Sequence, residues 1–114
     1  MHEVGIMSSA METVLAQARA HHATRVCRIV LRIGVLAGVE VEALRFAFEV
    51  VARDTLAAKA ELEIESVSVR AYCATCAEEF DAKDSFVLTC PRCGNFSGDL
   101  RQGRELELSR IDML

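Results

Sequence analysis

The sequence predicts an α/β fold: a three-stranded mixed sheet covered by two helices, with a small four-cysteine zinc-ribbon-like module inserted before the last strand. Three observations carry this. Two stretches repeat apolar residues at intervals of three and four, which puts them on one face of a helix. Three others alternate apolar and polar residues, the period of a half-buried strand. Finally, Cys73, Cys76, Cys90 and Cys93 make two C-x-x-C pairs, and each such turn converges two thiolates on one point. The order helix, strand, helix, strand, cysteine segment, strand predicts one α/β domain over 1–70 plus 101–114 and a metal-binding satellite over 71–100.

In chain order, Val4, Met7, Met11, Val14, Leu15 and Ala18 form the stripe of a first helix running to about Ala20, with Glu12, Gln17 and Arg19 opposite. Methionines at this spacing are core packing rather than soft metal ligands. His21 and His22 follow, where imidazoles meet the carbonyl end of the helix dipole as a cap. From Arg25 to Ile33 the alternation is strict, with Cys27, Ile29, Leu31 and Ile33 inward and Val26, Arg28, Val30 and Arg32 outward. Cys27 therefore reads as a small buried hydrophobe, not a fifth zinc ligand. Gly34 and Gly38 punctuate the strand's exit. Val41, Leu44, Phe48, Val51 and Ala52 then line a second helix whose outer face carries Glu40, Arg45, Glu49 and Arg53.

Leu62 to Glu65 resumes a period of two, shifts phase at Ser66 and continues as Val67 and Val69, the signature of a bulge. Glu105 to Leu108 does the same, shifting near Ser109 to Ile111 and Met113. The matching shifts predict that these two strands pair, with the cysteine segment as an excursion between them and Gly98 and Gly103 in the return link.

Within the excursion, Phe80 and the run Phe86-Val87-Leu88 predict two short strands between the cysteine turns. A segment with so little core folds only around a metal. A pair of disulfides would suit a small secreted chain, and a redox C-x-x-C would stand at a helix start rather than after a strand pattern. Four thiolates complete a tetrahedron and leave no position for water, so the zinc is structural and a zinc hydrolase is disfavoured. No nucleophile–base pair or cofactor loop is visible, and the chain is not expected to be an enzyme.

At 114 residues, 52% of them hydrophobic, the chain can bury one modest core and a small satellite. A net charge of −4 without a basic cluster argues against nucleic acid as partner, because phosphate contacts need a concentrated Lys/Arg face. No run approaches a membrane span, and no charged-then-apolar leader opens the sequence. The expectation is a cytoplasmic protein with reduced thiols and no membrane partner.

The amino terminus has chemistry of its own. A histidine at position 2 offers one ion the α-amine of Met1, the His2 amide once deprotonated, and the His2 imidazole. Fused chelate rings keep those donors nearly coplanar, which suits Ni(II) or Cu(II) better than tetrahedral zinc. A histidine after the first methionine is also, by itself, an ordinary exposed residue.

Met1-His2-Glu3-Val4, the Leu44-x-Phe46-Ala47-Phe48 helix, the two C-x-x-C pairs with Cys90-Pro91-Arg92-Cys93-Gly94, and Gly103-Arg104-Glu105-Leu106 before the final strand together resemble the HypA/HybF hydrogenase-maturation proteins. The resemblance covers essentially the whole chain. It implies a nickel metallochaperone that holds zinc structurally, binds nickel near its amino terminus and delivers it to the large subunit of NiFe-hydrogenase with the GTPase HypB. By position, Met1 contributes its amine, His2 its amide and imidazole, and Glu3 its backbone nitrogen. The Glu3 carboxylate is a further candidate for balancing charge on the nickel. The GTPase is expected to dock on the first helix near this site, through exposed residues such as Glu3 and Glu12. The alternative is a zinc-ribbon interaction module without nickel chemistry, which would make Met1 to Glu3 irrelevant.

Overall fold

The computed structural model describes residues 2–82 and 87–114. Met1, the expected amine donor, and Phe86, part of an expected strand, lie outside the described residues. Helix α1 spans Glu3–Ala20 and buries Glu3, Met7, Met11, Val14 and Ala18. The stripe is the expected one except at Leu15, which is only partly buried, and at its start. Val4 is 53% exposed and Glu3 takes the buried position instead, its carboxylate meeting the start of the second helix. Helix α1 closes in a Schellman arrangement: the Ala23 N–H donates to the Ala18 carbonyl at 2.9 Å and the His22 N–H to that of Arg19 at 3.1 Å. His22 sits in the left-handed region at φ 54°, and His21 Nδ1 lies 2.8 Å from the Gln17 carbonyl oxygen. The two histidines form the cap their position predicts.

Strand β1 (Val26–Gly34) leads to helix α2 (Val41–Val51), which packs Leu44, Ala47 and Phe48 inward against α1. Glu40 does not stand on the outer face of this helix. It is the N-cap, with extended backbone, and its own carboxylate accepts from the Glu42 N–H at 3.2 Å. Strand β2 (Glu61–Val67) follows, and Val69 lies beyond its end.

The three-stranded sheet has the order β2-β1-β6, where β6 is Leu106–Met113. The strands expected to pair with each other therefore do not: each is a neighbour of β1. Being central explains a second departure, since β1 buries Val26 and Val30 as well as Ile29, Leu31 and Ile33. Cys27 on the supposed inner face is only partly buried. Arg28, expected outward, is ion-paired to Glu63 on β2.

A second three-stranded sheet was not foreseen. It contains β3 (Arg70–Cys73), β4 (Glu78–Asp81) and β5 (Leu100–Gln102) in the order β4-β3-β5, antiparallel throughout. Phe80 lies on β4 as expected, whereas Val87 and Leu88 are in no strand. Within this second sheet a register shift lies between Arg70 and Ala71 in the β3–β5 pairing. Elements of three or four residues are too short to show a period, so alternation could not reveal them.

The chain divides into two compact units. The first holds Met1–Leu31, Val39–Glu65 and Glu107–Leu114; the second holds Arg32–Gly38 and Ser66–Leu106. Among the described residues no helix is long and apolar enough to cross a membrane.

Candidate metal centre

In the second unit, β3 ends at Cys73 and β4 begins at Glu78, so Ala74–Ala77 form the turn of a hairpin whose register pairs Cys73 with Glu78. The other cysteine turn is closed by the Gly94 N–H donating to the Cys90 carbonyl at 2.9 Å. Polar contacts tie the two turns together. Asn95 Nδ2 donates to Thr75 Oγ1 at 3.0 Å, Arg92 is ion-paired to Glu78, and the Tyr72 N–H donates to the Asp99 carbonyl at 2.8 Å. Arg101 lies over the Tyr72 ring, 4.3 Å from its centroid.

As a result the four sulfurs of Cys73, Cys76, Cys90 and Cys93 all lie within 4.8 Å of one another. Cys73 and Cys93 are 3.5 Å apart, Cys76 and Cys90 3.9 Å. A tetrahedron of thiolates with zinc–sulfur bonds of about 2.3 Å has edges of about 3.8 Å, so the spacing fits zinc with no rearrangement of the backbone. Being four thiolates, the set is closed, as a structural site requires.

The sulfurs are not equivalent. N–H groups of Cys93 and then Arg92 directed at the Cys90 sulfur lower that thiol to about 7. In the first turn, burial and then the neighbouring sulfurs push the Cys76 thiol up to about 12. Cys90 is thus the position pre-arranged for a thiolate. At Cys93 the Asn95 N–H lowers the thiol, but burial and the Cys73 and Cys90 sulfurs leave it raised, and an ion is what would bring Cys76 and Cys93 to the same state.

Backbone strain differs between the two turns. Gly94, just after the second pair, has φ 76°, and Ala77, in the corresponding place after the first, has φ 54°. Left-handed backbone is open to glycine and costs an alanine about 1–2 kcal/mol. Ala77→Gly is therefore expected to stabilise the zinc-loaded protein by about 0.5–1 kcal/mol, the gain being reduced by the freer unfolded chain. Urea unfolding would measure it; a loss of stability would mean that the Ala77 side chain contributes packing that outweighs its strain.

The amino-terminal candidates lie in the first unit. His2 precedes the first residue of α1, its side chain 61% exposed. Glu3 is only 3% exposed, so the expectation of an exposed docking carboxylate is wrong at this position and holds only at Glu12. Its Oε2 accepts the Glu40 N–H at 3.0 Å, at the start of α2. A carboxylate there meets an unpaired helical donor and the positive end of the dipole, which is why Glu3 rather than Val4 faces inward. The Glu40 N–H, then Glu3's own N–H, hold this carboxyl below the usual carboxylate range.

His2 Nε2 lies 3.8 Å from Glu3 Oε2, and the other carboxylate oxygen, Oε1, is buried without a hydrogen-bond partner. An acceptor of that kind is costly unless something positive or donating comes to it. The fold thus joins His2, Glu3 and Glu40. Sequence reasoning missed Glu40 because its contribution is a main-chain N–H, and glutamate is not one of the residue types that mark an N-cap.

A family model described as "Hydrogenase/urease nickel incorporation, metallochaperone, hypA" matches residues 1–113. Proteins named hydrogenase maturation factor HypA are similar end to end: that of Picosynechococcus sp. is 42% identical over 114 residues, and that of Beijerinckia indica subsp. indica 46% over 114, with each pair covered completely. Among solved structures, the nickel metallochaperone HypA from Helicobacter pylori superposes with a TM-score of 0.68 at 26% identity, covering 100% of this chain and 98% of that one. A second HypA solution structure gives 0.73 at 26% identity, covering 100% and 97%.

Proposed function

This chain belongs to the HypA family of hydrogenase and urease nickel-incorporation metallochaperones, and from that premise we propose that it binds Ni(II) through its amino terminus and hands it, with a HypB-type GTPase, to the large subunit of NiFe-hydrogenase in the cytoplasm. Nickel is cargo, and Cys73, Cys76, Cys90 and Cys93 hold a resident structural zinc. The α/β part, 1–70 with 101–114, handles nickel, and the cysteine module, 71–100, holds zinc.

The observation that carries the reading is the exposed His2 imidazole set directly before α1 and beside the buried Glu3 carboxylate. The first N–H groups of a helix have no partner within it, so the amides of His2 and Glu3 can exchange a proton for the ion without breaking the helix. An ion alone would be repelled by the positive helix start, but two deprotonated amides cancel its charge and are themselves favoured there. Glu3, ionised and fixed by Glu40, adds negative charge where the complex forms. With Met1 as amine donor the set is four nitrogens, a planar preference that separates nickel from the sulfur site. Exposure serves the hand-off, because an incoming partner can replace the donors one at a time. The exposed face of α1, including Glu12, is the surface offered to the GTPase.

Nickel calorimetry on the untagged chain tests this against a copy with one residue added before Met1 and against His2→Ala. Both changes should weaken binding by about a hundredfold or more, the loss of a chelate ring or donor in a site that has few, with zinc content unchanged. Binding should also weaken as pH falls from 8 to 6, since α-amines take a proton at about 7.7–8.0 and imidazoles at about 6.5. Glu3 does not set that window. Its pKa is lowered on folding, so its contribution to stability is complete above the ordinary carboxylate value and is lost only as pH falls through the lowered one. Full nickel affinity in either variant would overturn the assignment and turn attention to His21 and His22.

A further inference from the structure

The four cysteines of the zinc cluster differ in exposure. Cys73 and Cys90 are each 2% exposed and Cys76 is partly buried, but Cys93 is exposed, within an exposed run from Pro91 to Phe96. The Cys93 sulfur has Cys73 3.5 Å away, a residue of the other turn, closer than the 3.9 Å between Cys76 and Cys90. An exposed thiolate is the one a small electrophilic oxidant meets first, and a sulfur at that distance is in position to resolve the product.

We infer that Cys93 is a modification site for hydroperoxides, and that its oxidation opens the zinc site through a Cys73–Cys93 disulfide. The Cys93 thiolate attacks one oxygen of hydrogen peroxide; the O–O bond breaks, hydroxide leaves, and Cys93 becomes a sulfenic acid. The Cys73 thiolate then attacks that sulfur, the S–OH bond breaks with loss of a second hydroxide, and the S–S bond forms. Two thiolates lose two electrons and one peroxide gains them. Zinc keeps two of four ligands and is released, and a dithiol reductant reverses the reaction.

This rests on the reading of the four cysteines as a zinc site, so zinc content is measured first. The full-length, zinc-loaded protein is treated with less than one equivalent of hydrogen peroxide, with and without dimedone as sulfenic-acid trap. Modified cysteines are located by peptide mass mapping, and released zinc is followed with a chromogenic chelator. Expected are dimedone on Cys93 in at least about tenfold excess over each other cysteine, a Cys73–Cys93 cross-linked peptide when the trap is omitted, and one zinc released for each disulfide. Cys27→Ser, which removes the cysteine outside the cluster, should change none of this. Trap on Cys27 or Cys90, a predominant Cys90–Cys93 or Cys73–Cys76 disulfide, or zinc retained after Cys93 is oxidised would overturn the inference alone. Protein purified under reducing conditions without zinc would overturn the zinc reading and this inference with it.

Discussion

Cys90→Ser is expected to abolish stoichiometric zinc binding and to unfold the β4-β3-β5 sheet, the largest effect of any single substitution in the chain. The buried cluster there is Ala71, Cys73, Phe80 and Cys90, with Cys76 and Leu100 packed against it. Half of the buried cluster consists of metal ligands, and Phe80 is its one large side chain, so burial alone cannot hold strands of three or four residues. In small zinc-finger peptides the metal supplies about 10–16 kcal/mol at neutral pH, which is folding free energy because no site exists before folding. Removing Cys90 takes away the thiolate whose backbone donors favour it most.

Both helices lie in the first unit and pack on each other, so the far-ultraviolet helix signal should persist while zinc falls well below one per chain. Elemental analysis and amide dispersion over residues 70–102 would check the two halves of this expectation. A Cys90→Ser protein that retains a full complement of zinc would refute the four-thiolate assignment.

Gly34→Ala is expected to cost about 3 kcal/mol, the upper end for an added core methyl group. A Cβ on Gly34 would lie 2.2 Å from the carbonyl carbon and oxygen of Gly103 and 2.5 Å from the Arg104 nitrogen. These are backbone atoms, held by the Gly34 N–H donating to the Glu105 carbonyl at 2.8 Å and the Leu36 N–H to that of Gly103 at 2.7 Å. No rotamer change relieves the clash. Gly103 is constrained in turn, at φ 123° with Val69 3.1 Å from where its Cβ would be.

Gly38→Ala is the control. That residue has φ 74° and open space around it, so only left-handed strain of about 1–2 kcal/mol is added. Urea unfolding of the zinc-loaded proteins separates the two: if Gly34→Ala is no worse than Gly38→Ala, close backbone packing at Gly103 is not what the glycine serves.

Whatever depends on residues close together along the chain was legible in the amino-acid sequence. Two cysteines three apart make a metal turn by local geometry, and two such turns imply a tetrahedral site wherever the chain carries them. A stripe at helical spacing predicted α1 and most of its buried face, and His21 and His22 read correctly as its cap. The proposed amino-terminal chelate would be equally local, since its donors come from consecutive residues.

Alternation shows which side of a strand is apolar but not which strands are neighbours, so the order β2-β1-β6, with the most apolar strand in the middle, had to come from the three-dimensional packing. Only the fold could turn Glu3 inward in place of Val4, because the N–H that receives its carboxylate belongs to Glu40, 37 residues away. The contact of Gly34 with Gly103 and the exposure of Cys93 beside three more buried ligands were likewise decided by tertiary structure. Each is a relation between segments that only the folded chain brings together, and a single sequence records the residue types but not the distance between them.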